Sequence, residues 1–345
     1  MDRLNEAMAN GGASATLDDV ARVAGVSRAT ASRAINGGNR VSPAAQSAVD
    51  DAVRRLGYSP NPAARSLVRR RTDSVAVVVP EPDERVFSDP FFARTLRGVT
   101  EVLSARDLQL VLLLARPGQE EARMLRYLRN RHVDGALVVS HHRSDLAGQL
   151  ADLALPSVFV GRPWGSSDRV SYVDTDNVAG GQDATRVLVE RGCRRIGTIA
   201  GPEDMTAGLD RLEGWRRALA EAGLAADAVE HGDFTEDSGE RAAAALLARH
   251  PDLDGLVVAS DLMAAGALRH LKAQGVAVPD QLAIVGYDDL GVAERTEPGL
   301  TTVAHPVREM AAQATRLLLD QVDGGTAGTP MRVVFPPTIV RRGSA

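Results

Sequence analysis

The chain has 345 residues and one cysteine, Cys193. That excludes an internal disulfide and any cysteine-cluster metal site, and it fits a reducing cytoplasm. Lys272 is the sole lysine, so the abundance of arginine is chain-wide composition and is not in itself a sign of phosphate recognition. No apolar run approaches the roughly twenty residues of a membrane span. The opening MDRLNEAMANGGASA carries Asp2 and Glu6 and no apolar core, so residues 1–14 are expected to be a disordered leader and not a signal peptide. There is no GxxxxGK[ST] phosphate loop, no GxGxxG and no HExxH, which argues against a sugar-kinase relative, a dinucleotide enzyme and a zinc protease. Cys193 has no matched histidine, and the His141-His142 pair is expected in a solvated loop. No enzyme activity, metal or cofactor is therefore expected.

What is present is a soluble composition, 44% apolar and 25% charged, with a lopsided charge. The net charge is -5, yet residues 15–71 hold ten Arg against four Asp, a local +6, and residues 72–345 carry -10. A basic N-terminal module on an acidic body is the footprint of a nucleic-acid reader whose body is not itself a DNA surface.

The basic module contains TLDDVARVAGVSRATASRAIN, residues 16–36. Thr16 is a suitable N-cap, and Asp19 stands three residues on, where a capping-box acid reaches back. Val20, Val23 and Ala24 recur at helical spacing. Gly25 breaks the helix where a left-handed residue is cheap. Ser27 caps a second helix, which Asn36-Gly37-Gly38 stops. The small Ala24, Ala31 and Ala34 let two short helices approach closely. The polar set at the start of the second helix suits base edges and phosphates. Ser42-Pro43 opens a third helix to Leu56, ended by Gly57. Asn61-Pro62 then starts a helix of two turns ending at Leu67, too short to be stable alone. It needs its twin in a dimer, or DNA, or both.

From Ser74 the texture changes. Strands are expected at 75–79, 108–114, 135–139, 157–160, 195–200, 255–259 and 282–286. Helices at 91–105, 120–131, 178–191, 209–222, 238–249, 263–274 and 308–322 fall between and after them. The fold class is therefore an all-α helix-turn-helix head plus an α/β body with parallel sheets. The units are too many for one sheet, so two lobes are expected. The divisions are a leader at 1–14, the DNA-binding head at 15–58, a hinge helix and linker at 59–73 and the body at 74–345. Within the body, lobe 1 takes 74–173 and 305–332, and lobe 2 takes 174–304 and 333–345.

These motifs together resemble the LacI/GalR transcriptional repressors. The likeness runs from Thr16 to Val340 and rests on GVSRATASRAIN, VSPAAQSAVDDAVRRLGYSPNPAARSL, DPFFARTLRGV, HVDGALVVS, VSYVDTDNVAGG, RLEGW, ASDLMAAGAL, VGYDD and LTTV. Within that family the combination with GRPWG, IAGPEDMTAGLDRL and GDFTEDSG looks most like the actinobacterial branch responding to cellobiose and other cello-oligosaccharides. The resemblance implies a cytoplasmic repressor of carbohydrate-utilisation genes, a body resembling periplasmic sugar-binding proteins, and a homodimer on a palindromic operator. A small sugar between the lobes would release it. The alternative within the family is a corepressor-type regulator that tightens on DNA with a purine or other non-sugar metabolite. The ending IVRRGSA has no leucine heptads, so a dimer is expected and not a tail-mediated tetramer.

The resemblance also suggests site residues. Arg28, Ala29 and Arg33 would read bases, with bidentate Arg to guanine worth about 1–3 kcal/mol of discrimination. Ser27, Thr30 and Ser32 would touch phosphates or base edges, and Asn36, Asn39 and Arg40 the backbone, with the caps Thr16 and Asn61 in the same surface. Leu67 would wedge into the central minor-groove step, with Ala64 packed close. For the effector pocket the expected contacts are Phe92, Trp164, Asp176, Arg211, Phe234, Asp261 and Asp288. Carboxylates and Arg bind vicinal hydroxyls, and aromatic faces take the C–H side of a sugar ring. Bland readings compete: Asp176 and Asp261 also suit helix caps, and Arg211 an ordinary ion pair. His305 stands where many members have Gln.

Overall fold

The computed structural model describes residues 15–36, 41–59, 71–115, 120–165, 167–324 and 329–345. The chain divides into two compact units between Thr72 and Asp73.

The first unit contains helices α1 (Leu17–Ala24), α2 (Arg28–Ile35) and α3 (Pro43–Leu56). Their apolar stripes meet in a small core of Val20, Ala21, Ala31, Ala34, Val49 and Ala52. Alanine dominates it because short helices gain contact only by approaching closely. The turn between α1 and α2 is made by Gly25 at φ 67, where its N–H closes back onto Ala21 and Arg22 carbonyls.

The second unit begins with β1 (Ser74–Val79), α4 (Asp83–Ser88), α5 (Pro90–Ser104), β2 (Gln109–Leu114), α6 (Glu121–Arg129), β3 (Gly135–Val139), α7 (Leu146–Asp152), β4 (Ser157–Val160) and β5 (Ser171–Thr175). It continues with α8 (Asn177–Arg191), β6 (Ile196–Ala200), α9 (Thr206–Ala222), β7 (Val229–His231), α10 (Glu236–Arg249), β8 (Gly255–Val258), α11 (Asp261–Ala273), β9 (Ala283–Asp288) and β10 (Thr301–Ala304). It ends with α12 (Val307–Val322), β11 (Arg332–Phe335) and β12 (Thr338–Val340).

Two six-stranded sheets result, ordered β11-β5-β4-β3-β1-β2 and β12-β10-β9-β8-β6-β7. Every pairing is parallel except that of β12 with β10. The central strands are buried along their length, which is why they read as continuous apolar runs instead of alternating ones.

The chain passes between lobes at Asp176, at His305-Pro306 and at Pro336-Pro337. The first and last crossings correct the expected boundaries after 173 and 332: β5 runs to Thr175 and β11 pairs with it, so residues 174–175 and 333–335 belong to the first lobe. The short α4, α7, β5, β7, β10, β11 and β12 lie outside the sets expected from periodicity. With three to seven residues each, they are too brief for a period to show.

Candidate functional sites

In the head, the capping box forms. Thr16 Oγ1 accepts the Asp19 N–H at 3.3 Å, and Asp19 Oδ2 accepts the Thr16 N–H at 3.1 Å. Ser27 caps α2 by accepting the Thr30 N–H at 3.1 Å, and the two hydroxyls lie 2.9 Å apart. Ser27, Arg28, Ala29 and Arg33 are exposed, while Thr30, Ser32 and Asn36 are half-buried. Burying Ala31 and Ala34 turns the other face of α2 outward. Arg33 Nε donates to the Ala29 carbonyl at 3.2 Å, and Asn36 Nδ2 to the Ser32 carbonyl at 2.8 Å. Arg28 lies 3.3 Å from Asp18, both well exposed, so water screens the pair and leaves the guanidinium available. Asn39, Arg40, Asn61, Ala64 and Leu67 lie outside the described residues.

In the body, the strands of both sheets point their C-terminal ends at one cleft, where ligands gather in open α/β sheets. The cleft and its mouth together enclose about 730 Å³. Arg85, Asp89, Phe91, Ser140, His141, Asp174 and His305 line it together with Arg211, Phe234, Ser260 and Asp288.

Arg211 is only 7% exposed. Its Nε donates to Asn177 Oδ1 at 2.9 Å, its Nη1 to the Ala259 carbonyl at 2.5 Å, and Asp288 Oδ1 lies 3.4 Å away. Its guanidinium stacks 3.6 Å from the centre of the Tyr287 ring. The backbone beneath is clamped as well: a Cβ on Gly181 would come 2.3 Å from the Arg211 carbonyl oxygen. Only glycine lets α8 close onto α9 there.

Phe234 and Asp288 are held in the left-handed half of backbone space, at φ 68 and φ 120. Each such residue costs about 1–3 kcal/mol and persists where surrounding packing enforces it. Both side chains reach the cleft by that means.

Burial pushes the Asp89 carboxyl up to about 6, and the nearby Asp288 adds to the rise. Burial also raises Asp174, against the N–H groups of Thr175 and Arg162 at 2.8 and 3.0 Å that favour its charge. The His305 side chain is buried, and neither ring nitrogen is hydrogen-bonded among the described residues, although Asp288 Oδ1 lies 3.5 Å from its Nδ1. An imidazole so placed on a cleft wall has a donor and an acceptor to offer a ligand hydroxyl.

Of the seven residues expected at the pocket, Arg211, Phe234 and Asp288 line it and four do not. Asp176 is exposed and caps α8, accepting the Ala179 N–H at 2.9 Å; the carboxylate facing the cleft is Asp174, two residues back on β5. Phe92 falls on the buried stripe of α5 with Thr95, Val99 and Leu103, so its neighbour Phe91, one helical step round, faces the cleft. Asp261 is buried behind the wall, accepting Thr302 Oγ1 at 2.7 Å and the Asp289 N–H at 2.8 Å. Its helix is capped by Ser260. Trp164 lies outside the lining, with the Arg143 guanidinium 4.4 Å over its ring.

The histidine pair is corrected too. His141 is buried on the cleft wall, 3.3 Å from the Gly161 carbonyl, and burial pulls it down to about 4, so it is neutral. His142 lies between two carboxylates.

Residues 16–61 match the bacterial regulatory proteins of the lacI family, and residues 185–345 match a periplasmic binding protein-like domain. Over 333 residues the chain is 50% identical to the HTH-type transcriptional regulator CelR of Thermobifida fusca, covering 95% of this chain and 98% of that one.

The chain belongs to the LacI family of transcriptional regulators.

The HTH-type transcriptional repressor CytR of Escherichia coli strain K12 is 35% identical, with 95% of each chain covered. A solved transcriptional regulator CelR-cellobiose complex superposes with a TM-score of 0.77 at 47% identity, over 96% of this chain and all of that one. The lac repressor dimer bound to operator and the anti-inducer ONPF superposes with a TM-score of 0.85 at 24% identity, over 96% and 99%. That likeness shows the shared LacI-family fold. The head is thus a sequence-specific DNA reader, and none of the described helices is long and apolar enough to cross a membrane.

Arg85, Asp89, Phe91, Asp174 and His141 are cleft residues that sequence reasoning missed or set aside. The DPFF motif held the signal for Asp89 and Phe91. Nothing announced Arg85: α4 has six residues and no side-chain cap.

Proposed function

We propose that this protein represses carbohydrate-utilisation genes as a homodimer on a near-palindromic operator, and that cellobiose or a related cello-oligosaccharide releases it. One observation carries the reading. Arg211, Asp288 and Phe234 converge on the inter-lobe cleft of a chain 47% identical, over 96% of its length, to a regulator solved with cellobiose. Arg and carboxylate supply directional bonds for hydroxyls, and the Phe234 ring supplies an apolar face.

On the DNA side, exposed Arg28, Ala29 and Arg33 are the base readers, and the arginines at 69–71 hold phosphates. Leu67 and its dimer mate enter the minor groove, with Ala64 close behind. Leu67→Ala is expected to lower operator affinity sharply and leave effector binding unchanged.

The deciding experiment titrates the protein–operator complex with cellobiose, maltose, lactose and purines. Release by cellobiose at millimolar concentration is expected. No release would sink the cellobiose assignment, and tightening by a purine would replace it with corepression.

A further inference from the structure

Beside the effector cleft lies a polar cluster that neither lobe completes alone. Glu81 follows β1 and is 2% exposed. Its Oε1 accepts from Ser140 Oγ at 2.7 Å and Arg85 Nη1 at 2.8 Å. His142 Nε2 lies 3.1 Å from the same oxygen. The other ring nitrogen of His142, Nδ1, lies 2.9 Å from Asp204 Oδ2. Glu81 and His142 belong to the first lobe, and Asp204 follows β6 in the second.

A neutral imidazole has one N–H and donates to one partner; an imidazolium donates to two. Both nitrogens here face carboxylate oxygens, so the geometry calls for the charged ring. The other titratable or charged neighbours are Arg85 on α4, His141 and Arg143 on the same loop, and Glu203 beside Asp204. Arg143 is tied to the Glu203 carbonyl at 3.3 Å, and His141 is neutral. Two negative partners at hydrogen-bond distance therefore dominate the field at His142. They hold it above the ordinary imidazole value, the hydrogen bond to Glu81 foremost.

Two further bonds cross this side of the cleft. Arg162 Nη2 donates to Asp210 at 2.7 Å, and Thr206 Oγ1 donates to the Arg162 carbonyl at 2.6 Å. The same Glu81 also anchors Arg85, whose guanidinium lies 5.4 Å over the ring of Phe234 on the opposite lobe.

We propose that His142 is a proton-operated latch between the lobes: its imidazolium, bridging Glu81 and Asp204, holds the effector cleft shut and ties that closure to Arg85 on the cleft wall. The inference rests on the cleft being the effector site. Once the lobes part, His142 loses Asp204 but keeps Glu81, so its value falls only part of the way toward the ordinary imidazole one. Closing around ligand then takes up a fraction of a proton as the bond to Asp204 forms. The latch is fully present at low pH and is lost as pH rises through the raised value. Effector affinity should fall with rising pH.

The test is calorimetric titration of the full chain with cellobiose from about pH 6 to about pH 9, in two buffers of different ionisation heat. The parent protein should take up a fraction of a proton on binding and weaken severalfold across the range. His142→Gln and Asp204→Asn should each flatten the dependence and abolish the uptake. Unchanged pH dependence and proton uptake in His142→Gln would overturn the latch; Asp204→Asn serves the same purpose should the first variant fail to fold. If cellobiose does not bind, the effector assignment fails and the latch is read without ligand. Spin labels at Ala122→Cys and Arg241→Cys, one exposed position on each lobe, should then move apart with rising pH. They should not do so in the His142→Gln background. A separation that does not respond to pH, or that responds equally in both, would defeat the proposal.

Discussion

Arg211 does several tasks with one planar group: it bonds Asn177 and the Ala259 carbonyl and stacks on Tyr287. Lysine keeps the charge but has neither the fork nor the flat face. Arg211→Lys should therefore lower effector affinity at least about tenfold, roughly 1.4 kcal/mol, as measured by calorimetry, with the head still folded. A second pair of variants separates two carboxylates that the sequence alone confuses. Asp174→Asn should weaken effector binding. Asp176→Ala should remove only a helix cap, at about 1 kcal/mol of stability. The reverse result would restore Asp176 to the pocket. In both cases the ambiguity is one of local geometry. A residue at a strand end and one two positions on differ by whether the chain has already turned into the helix, and VDTDN does not say where that turn falls.

The long helices and the buried strands were legible, because a helix stripe repeats several times and a buried strand reads as an unbroken apolar run. The head was legible through its caps: Thr16, Gly25, Ser27 and Gly57 stand where the backbone needs them. The cleft was half legible. Arg211 belongs to a motif on a long helix, Asp288 ends a buried strand and Phe234 stands just before α10, whereas Arg85 rides on a single short helix and His141 follows a strand of five residues. The contact of α8 with α9 is one such long-element feature. Gly181→Ala would press a methyl group against the Arg211 carbonyl. Overpacking of this kind costs about 1–3 kcal/mol. A lower unfolding midpoint is expected, together with weaker effector binding, since the same shift moves Arg211.

Over the whole molecule, charge and proton binding set how the protein answers its surroundings. A head of local charge +6 on a body of -10 should give operator binding whose log K falls steeply with log salt. Arg28→Ala should change which operator is preferred, and loss of an arginine from 69–71 should weaken all sequences alike; identical behaviour of the two would contradict this division. Body stability should respond to acid through His141. Its folded value, about 4, lies below the ordinary 6.5. The unfolded chain therefore binds the proton first, and stability drains away as pH falls across that window. His141→Phe should flatten the decline of the thermal midpoint there. The first lobe is finished by β11, supplied by residues 332–335 after all of the second lobe but β12 has been made. During synthesis the helical head has all its core residues early, while β5 waits at an open sheet edge until nearly the last codons are read. A chain cut short before 332 would leave the ribosome with a folded DNA reader on a body that cannot close its first sheet.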